Sequence, residues 1–373
     1  MKSKHSNKQL KTIQHPLFGI SLRKWIKLVK INGYIDTNYL DRALFITFGS
    51  LFSTVGRSIF KFVYEPKIMN FAMEKDPVFI IGHWRSGTTF LHELLSQDPQ
   101  FCFVSLWNTL LPESFPLFDP LKNLFSHFLP RTRPMDNIEV DIDAPYEEEA
   151  GLAALSLWSF FHALHFPKNA EEQYLKSVHF LGLSSSEKDQ WKLIYKNFLK
   201  TISYSNNGKQ LLLKNPANTG RISVLLELFP NAKFIYIFRN PYNVYLSTVK
   251  MRNKVLEKFA LQQGHSHIIE QQVIDNYIRL MKSYFNQKQV IPSKNRVEIK
   301  YEDLVKEPLK QIKHIYSSLQ LEHVSLAIPR METYLLQKKN YKTNVYTIDE
   351  PIIKRIEDNW KFTIDRWGYN PPK

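Results

Sequence analysis

Apolar and polar positions change rhythm along this chain, and the change divides it in two. Between about residues 38 and 64 the apolar positions recur at helical spacing. Leu44, Phe48, Leu51, Phe52, Val55, Ile59 and Phe62 fall on one stripe, while Ser50, Ser53, Thr54, Arg57 and Lys61 lie mainly elsewhere around the helix. From residue 76 onward, short apolar runs alternate with helical patterns. Strands are predicted at 78–81, 210–214, 233–238 and 296–300, with helices following at 88–96, 217–229, 241–251 and 303–319. That alternation predicts an α/β fold: three layers, with a mostly parallel central sheet covered by helices. The segments 100–200 and 252–292 read as helices and loops that cover the sheet and shape a pocket. No linker rich in Pro, Gly or Ser divides the chain, and no repeat is apparent. The expected organisation is a helical extension over 1–75 and a single domain over 76–373.

Three strand ends carry chemistry. The apolar run at 78–81 enters Gly82-His83-Trp84-Arg85-Ser86-Gly87-Thr88-Thr89, a turn bracketed by two glycines and followed by a helix. Such a loop is P-loop-like: its backbone N–H groups and the helix N-terminus hold phosphate oxygens. A nucleotide-hydrolysing P-loop ends in Gly-Lys-Ser/Thr; here Thr88 stands in the lysine position and Arg85 supplies the charge. The predicted ligand is a phosphorylated nucleotide not used as magnesium-ATP. The run at 233–238 ends in Arg239-Asn240-Pro241, with Ser247 on the helix that Pro241 opens. Arg239 offers a forked donor pair to a phosphate and Ser247 adds a hydroxyl. The third strand, 210–214, ends in Lys214-Asn215-Pro216.

These blocks together resemble the sulfotransferases that use 3′-phosphoadenosine 5′-phosphosulfate (PAPS), in particular the bacterial-type members related to the tyrosylprotein enzymes. His83 to Thr89 is similar to that family's 5′-phosphosulfate loop, and Arg239 with Ser247 to its 3′-phosphate site. Lys214-Asn215-Pro216 is similar to its Lys-Asp-Pro segment, with asparagine in place of aspartate. Tyr301-Glu302-Asp303 and the final Trp367-Gly368-Tyr369 also match, so the resemblance spans roughly residues 75 to 370. It implies sulfuryl transfer from PAPS to a hydroxyl or amine, with PAP as product and no metal. It further implies that Arg85, Ser86, Gly87, Thr88, Thr89, Arg239 and Ser247 bind the donor. Arg85 and Lys214 would stabilise charge on the leaving phosphate. The competing reading is a P-loop kinase or other nucleotide-dependent phosphotransferase, which would require the missing loop lysine.

A base must take the acceptor's proton. The densest acidic run, Pro145-Tyr146-Glu147-Glu148-Glu149, resembles the family's acidic helix; Glu149 leads, with Glu147 and Glu148 beside it. Acidic residues in a helix's first turn are also favoured by its dipole alone. His83, His92, His162 and His165 are the rival bases. No Cys/His or HExxH pattern supports a metal. Lys338, Lys339 and Lys342 fall where the family closes a late loop over PAPS.

Composition adds the partners. The formal net charge is +15. Residues 1–75 hold thirteen Lys/Arg against four Asp/Glu, a surplus of nine. Nucleic acid is a poor fit, because no zinc-finger, zipper or RNA-recognition signature accompanies the charge. The 38–64 helix has two readings: packing on the domain, which leads, or lying on an anionic membrane surface. Nothing in the sequence reads as an uninterrupted transmembrane segment. A single cysteine, Cys102, and a polar, basic start without a signal-type apolar core point to a cytoplasmic setting, with peripheral contact at the membrane's inner face open. Aromatic content of 14% leans the acceptor towards a hydrophobic small molecule or lipid.

Overall fold

The computed structural model describes residues 15–127, 129, 140–264, 266–338 and 348–372. Three helices come first: α1 (Leu22–Asn32), α2 (Leu40–Val63) and α3 (Glu65–Asn70). Strand β1 (Val78–Gly82) leads into α4 (Thr88–Leu95), and the short β2 (Phe101–Cys102) follows. Between β2 and β3 (Gln210–Lys214) lie α5 (Leu106–Leu110), α6 (Phe115–Phe118), α7 (Lys122–Ser126), α8 (Glu148–Leu155), α9 (Phe160–His165), α10 (Ala170–Val178) and α11 (Ser185–Ser205). Then come α12 (Ile222–Leu228), β4 (Lys233–Phe238), α13 (Pro241–Phe259), α14 (Ser266–Gln287) and β5 (Arg296–Lys300). The described chain closes with α15 (Tyr301–Lys306), α16 (Pro308–Leu319), α17 (Val324–Gln337) and α18 (Glu350–Trp367).

The five strands form one parallel sheet in the order β2-β3-β1-β4-β5. The central strands are near-continuous apolar runs because both faces of a parallel sheet are covered. Every residue of β1 is buried. One core, including Phe79, Ile81, Phe234 and Tyr236, lies on one face; Ile80, Leu212, Ile235 and Ile299 belong to a second core with α4 and α16 on the other. All four predicted strands are present within one residue of their expected bounds. β2 was not anticipated, since two residues carry no period. The helix expected at 217–229 is a 3₁₀ turn, Pro216–Gly220, followed by α12. The helix expected at 303–319 breaks before Pro308, which opens α16.

Residues 15–70 share a core with the rest of the chain: Leu17, Ile20, Trp25, Leu28 and Ile46 pack with Ala153 and Ala154 of α8. The expected helix at 38–64 is α2, yet it does not pack through its apolar stripe. Ala43, Ile46, Gly49, Ser50, Ser53 and Gly56 are buried, whereas Leu44, Phe48, Val55 and Phe62 are 62–81% exposed. Close approach explains the choice of face. A Cβ on Gly49 would sit 2.5 Å from the Phe18 carbonyl oxygen, and one on Gly56 would sit 2.8 Å from the Phe118 ring. The expectation about membrane spans also needs correction, because Thr37–Val63 is long and apolar enough to cross a bilayer by length and composition.

Candidate active site

The site is built where β1, β3 and β4 end, on the carboxyl edge where ligands of open parallel sheets bind. The β1–α4 loop is fixed by backbone conformations that its sequence permits. Gly87 has φ +92°, and a Cβ there would fall 2.1 Å from the Tyr301 ring. Arg85 adopts φ +69°, a left-handed conformation costly for a non-glycine residue and frequent at functional turns. Gly82 N–H donates to Thr219 Oγ1 at 2.8 Å, and that hydroxyl donates back to Gly82 O at 3.0 Å, so the 3₁₀ turn after β3 braces the loop.

The two phosphate-type blocks meet. Arg85 Nε donates to Ser247 Oγ at 2.8 Å, and Arg239 Nη1 donates to Arg85 O at 3.0 Å. The Arg239 guanidinium lies 4.5 Å from the Tyr301 ring centre. Ser86 and Thr88 are buried in the same loop. Three further donors, one after β4 and two on α13, are buried yet have no hydrogen-bond partner among the described residues: Arg239 Nε, Thr248 Oγ1 and Arg252 Nε. Burial holds the Arg252 pKa down at about 10, and its charge in turn lowers that of neighbouring His83. A buried guanidinium so placed is costly unless an anion meets it.

Lys214, at the end of β3, joins this loop to the acidic helix. Its ammonium donates to Glu147 Oε1 at 2.6 Å and to Thr89 Oγ1 at 3.4 Å. The three glutamates then part company. Glu147 is the N-cap of α8, but its side chain makes no capping bond. It retains 21% side-chain exposure and is turned to Lys214. Glu148 is fully buried: Tyr195 Oη donates to its Oε1 at 3.0 Å and Asn218 Nδ2 at 2.8 Å, while Oε2 has no partner among the described residues. Burial, opposed by hydrogen bonds from a backbone N–H and from Tyr195, pushes its pKa up to about 7.

Glu149 is also fully buried. It takes Arg221 Nη1 at 2.7 Å, Asn215 Nδ2 at 2.7 Å, Phe160 N–H at 2.6 Å and Ser159 Oγ at 2.9 Å. Burial acts to raise its pKa, but the Arg221 charge and these donors outweigh it and leave the carboxyl below the ordinary glutamate value. Both its oxygens are thus engaged, and the leading expectation for the base sits in a closed network. Asn215, where the family pattern has aspartate, is part of that network as a donor; an acceptor-only aspartate would face another carboxylate.

The four histidines are all buried. Burial holds His83 and His162 down at about 4 and His92 at about 3, with His165 well below its usual value. Their ring nitrogens bond to nearby carbonyls of Trp84, Ser156 and Leu212 for the first three. Sequence reasoning did not single out Arg221, Asn218, Tyr195, Thr219 or Arg252. Each gains its place only through contacts between distant segments, so no local spacing marks it. Lys338 ends α17, with its ammonium 5.8 Å from the Tyr334 ring centre; Lys339 and Lys342 lie outside the described residues. No group of three or more His, Cys, Asp or Glu that would hold a metal occurs among the described residues. A cavity of about 950 Å³ lies beside β2, lined by Phe101, Phe103, Trp107 and Tyr334 among others, but Arg85, Lys214 and Glu147 do not line it.

Comparison with known proteins bears on the family and the fold. Residues 77–325 match the family model described as the sulfotransferase family. The chain is 30% identical over 355 residues to the omega-hydroxy-beta-dihydromenaquinone-9 sulfotransferase Stf3 of Mycobacterium bovis, covering 94% of this chain and 90% of that protein. The Stf3 protein of Mycobacterium tuberculosis matches equally. Among solved structures, the fold is similar to sulfotransferase STF9 from Mycobacterium avium, with a TM-score of 0.70 at 14% identity, covering 94% of this chain and 97% of that one. STF1 from Mycobacterium tuberculosis gives 0.64 at 17% identity, with 90% of each chain covered.

Proposed function

The chain belongs to the sulfotransferase family, and we propose that it moves the sulfuryl group of PAPS to a hydroxyl of a hydrophobic, lipid-like acceptor. The observation that carries the donor is the meeting of Arg85, Arg239 and Ser247 at the strand ends, on a loop that Lys214 of the Lys214–Glu147 pair contacts through Thr89. The residues present fit a multiply charged nucleotide, because Arg239 Nε, Thr248 Oγ1 and Arg252 Nε are buried donors without partners among the described residues. Arg85, the loop amides of Ser86 to Thr89, Arg239 and Ser247 would hold its phosphates. When bound, PAPS supplies the sulfuryl group and leaves as PAP.

The chain's own residues divide the remaining work. Glu147, rather than Glu149, is the proposed base: a carboxylate oxygen takes the acceptor's hydroxyl proton as the oxygen attacks. It has partial exposure and, among the described residues, only Lys214 on Oε1, whereas Glu149 is closed in by Arg221, Asn215, Ser159 and Phe160. Lys214, buried and shared between Glu147 and Thr89, is placed to stabilise charge developing on the leaving phosphate. Glu148 and Glu149 would position α8. The acceptor reading rests on the relative that acts on an omega-hydroxylated dihydromenaquinone.

The test is calorimetry with PAP, against ATP with magnesium, for wild type, Arg85→Ala and Arg239→Ala. Tight PAP binding that both substitutions weaken is the expected result. Preference for magnesium-ATP, or indifference to Arg239, overturns the donor assignment. A hydroxylated menaquinone-type quinol with labelled PAPS then tests the acceptor.

A further inference from the structure

We propose that the outward face of α2 docks on an anionic lipid bilayer, with α2 lying in the interface rather than crossing it. On a helix, Leu40, Leu44, Phe48, Leu51, Val55, Ile59 and Phe62 project within one sector, and all are 44–81% exposed. Beside this stripe, Phe52 packs on Phe118 of α6, with tilted rings 5.0 Å apart. Scattered surface apolar residues need no explanation, but a continuous stripe along a helix of this length does.

The opposite face excludes a spanning role. Ser53 Oγ donates to Gly19 O at 2.6 Å, Leu22 N–H to Thr54 Oγ1 at 3.0 Å and Trp25 Nε1 to Thr47 Oγ1 at 3.0 Å. Arg42 donates to the Ala260 and Glu257 carbonyls, and Arg57 pairs with the buried Glu113. Crossing would tear out these bonds and carry two arginines into hydrocarbon. Held this way, α2 can only present its stripe sideways, as an interfacial helix does.

Charge selects the occupant. Arg23, Lys27 and Lys30 of α1, Lys61 of α2 and Lys67 of α3 are exposed, and none forms an ion pair among the described residues. The acidic residues nearest in these helices, Asp41 and Glu65, leave the cations in excess. A second protein copy, carrying the same cations, would meet this face with like charge; anionic headgroups complement it. The inward face of α2 is also linked to the acidic helix. The 3₁₀ turn Pro16–Gly19 is clamped between α2 and α8, the helix that carries Glu147. The inference is independent of which molecule accepts the sulfuryl group.

Vesicle flotation of the full chain tests it, with phosphatidylcholine alone and with added phosphatidylglycerol. Wild type is expected to float with the anionic vesicles. The triple variant Phe48→Ser, Val55→Ser, Phe62→Ser should lower partitioning at least about tenfold with an unchanged thermal midpoint. The variant Lys27→Glu, Lys61→Glu, Lys67→Glu should lose the preference for phosphatidylglycerol. As an independent readout, Phe62→Trp in the wild-type chain should shift its emission to the blue on adding anionic vesicles. Wild type that stays in the pellet fraction, or a tryptophan that stays solvent-like, overturns the proposal. So does a solution dimer that the apolar triple variant converts to monomer, which would make a second copy the occupant.

Discussion

Lys214 Nζ stands 2.6 Å from Glu147 Oε1 and 3.4 Å from Thr89 Oγ1, so one buried cation touches both the acidic helix and the helix that opens after the phosphate-type loop. If Glu147 is the base, Glu147→Gln keeps the shape, keeps a hydrogen-bond acceptor for Lys214 and removes the proton acceptor. Its kcat should fall about 10²–10⁴-fold while PAP affinity is held. Lys214→Met should fall about 10²–10³-fold through lost charge stabilisation. Steady-state kinetics with the hydroxylated quinol, paired with PAP calorimetry, separates the two. A Glu147→Gln enzyme with wild-type kcat would return the role to another group.

Much of this geometry is legible in the sequence. The strands at 78, 210 and 233 are buried on both faces, so each appears as an apolar run with a phosphate-type or basic residue at its end, whereas the edge strand at 296 shows only the alternation of buried Val297 and Ile299 with exposed Glu298. The relation of Glu147 to Glu149 was not legible. Adjacent residues at a helix start look alike in sequence, and what separates them arrives from afar: Arg221 beyond β3, Tyr195 on α11 and the Phe160 amide on α9. For α2 the period was visible but its polarity relative to the core was not. Small residues, Gly49, Ser50, Ser53 and Gly56, won the interior by allowing close approach, and the large apolar residues were left outside.

Glu149 and Arg221 should reveal themselves in stability. Breaking this fully buried pair by Glu149→Ala strands a guanidinium and should cost about 3–5 kcal/mol. Replacing both, as Glu149→Leu with Arg221→Met, should recover a large part of that loss. Urea unfolding of the three variants measures it. A Glu149→Gln protein as stable as wild type, yet without sulfuryl transfer, would contradict the structural assignment.

Glu148 predicts a pH signature opposite to that of its surroundings. Its folded pKa, about 7, lies above the ordinary value of 4.5. The folded state therefore binds the proton more tightly, and the stabilisation is complete below about pH 4.5 and lost as pH rises to about 7. The full span is on the order of 3 kcal/mol. The buried histidines work the other way: depressed to about 3 to 4, they withdraw stability as pH falls below 6.5. Wild type alone therefore blends the two. The difference between Glu148→Gln and wild type isolates the carboxyl: the variant's relative stability should climb from about pH 4.5 to about pH 7 and then level off. Unfolding curves across that range check it, and a flat difference would show that the carboxyl titrates normally.

Arg252 sets stability against donor binding. It lies on α13 five residues past Ser247, is 5% exposed, and its Nε has no hydrogen-bond partner among the described residues. An unmatched buried charge destabilises the free protein, so Arg252→Met should raise the unfolding free energy on the order of 1 kcal/mol or more. The same substitution removes a charge-assisted donor from the side of the loop that carries His83. PAP affinity should fall about tenfold to a hundredfold. Thermal unfolding with and without PAP reads both at once: the variant should melt above wild type in the free state, and PAP should shift its midpoint far less. Were Arg252→Met to melt lower and bind PAP normally, the guanidinium would be a core residue satisfied by water and not a donor-site cation.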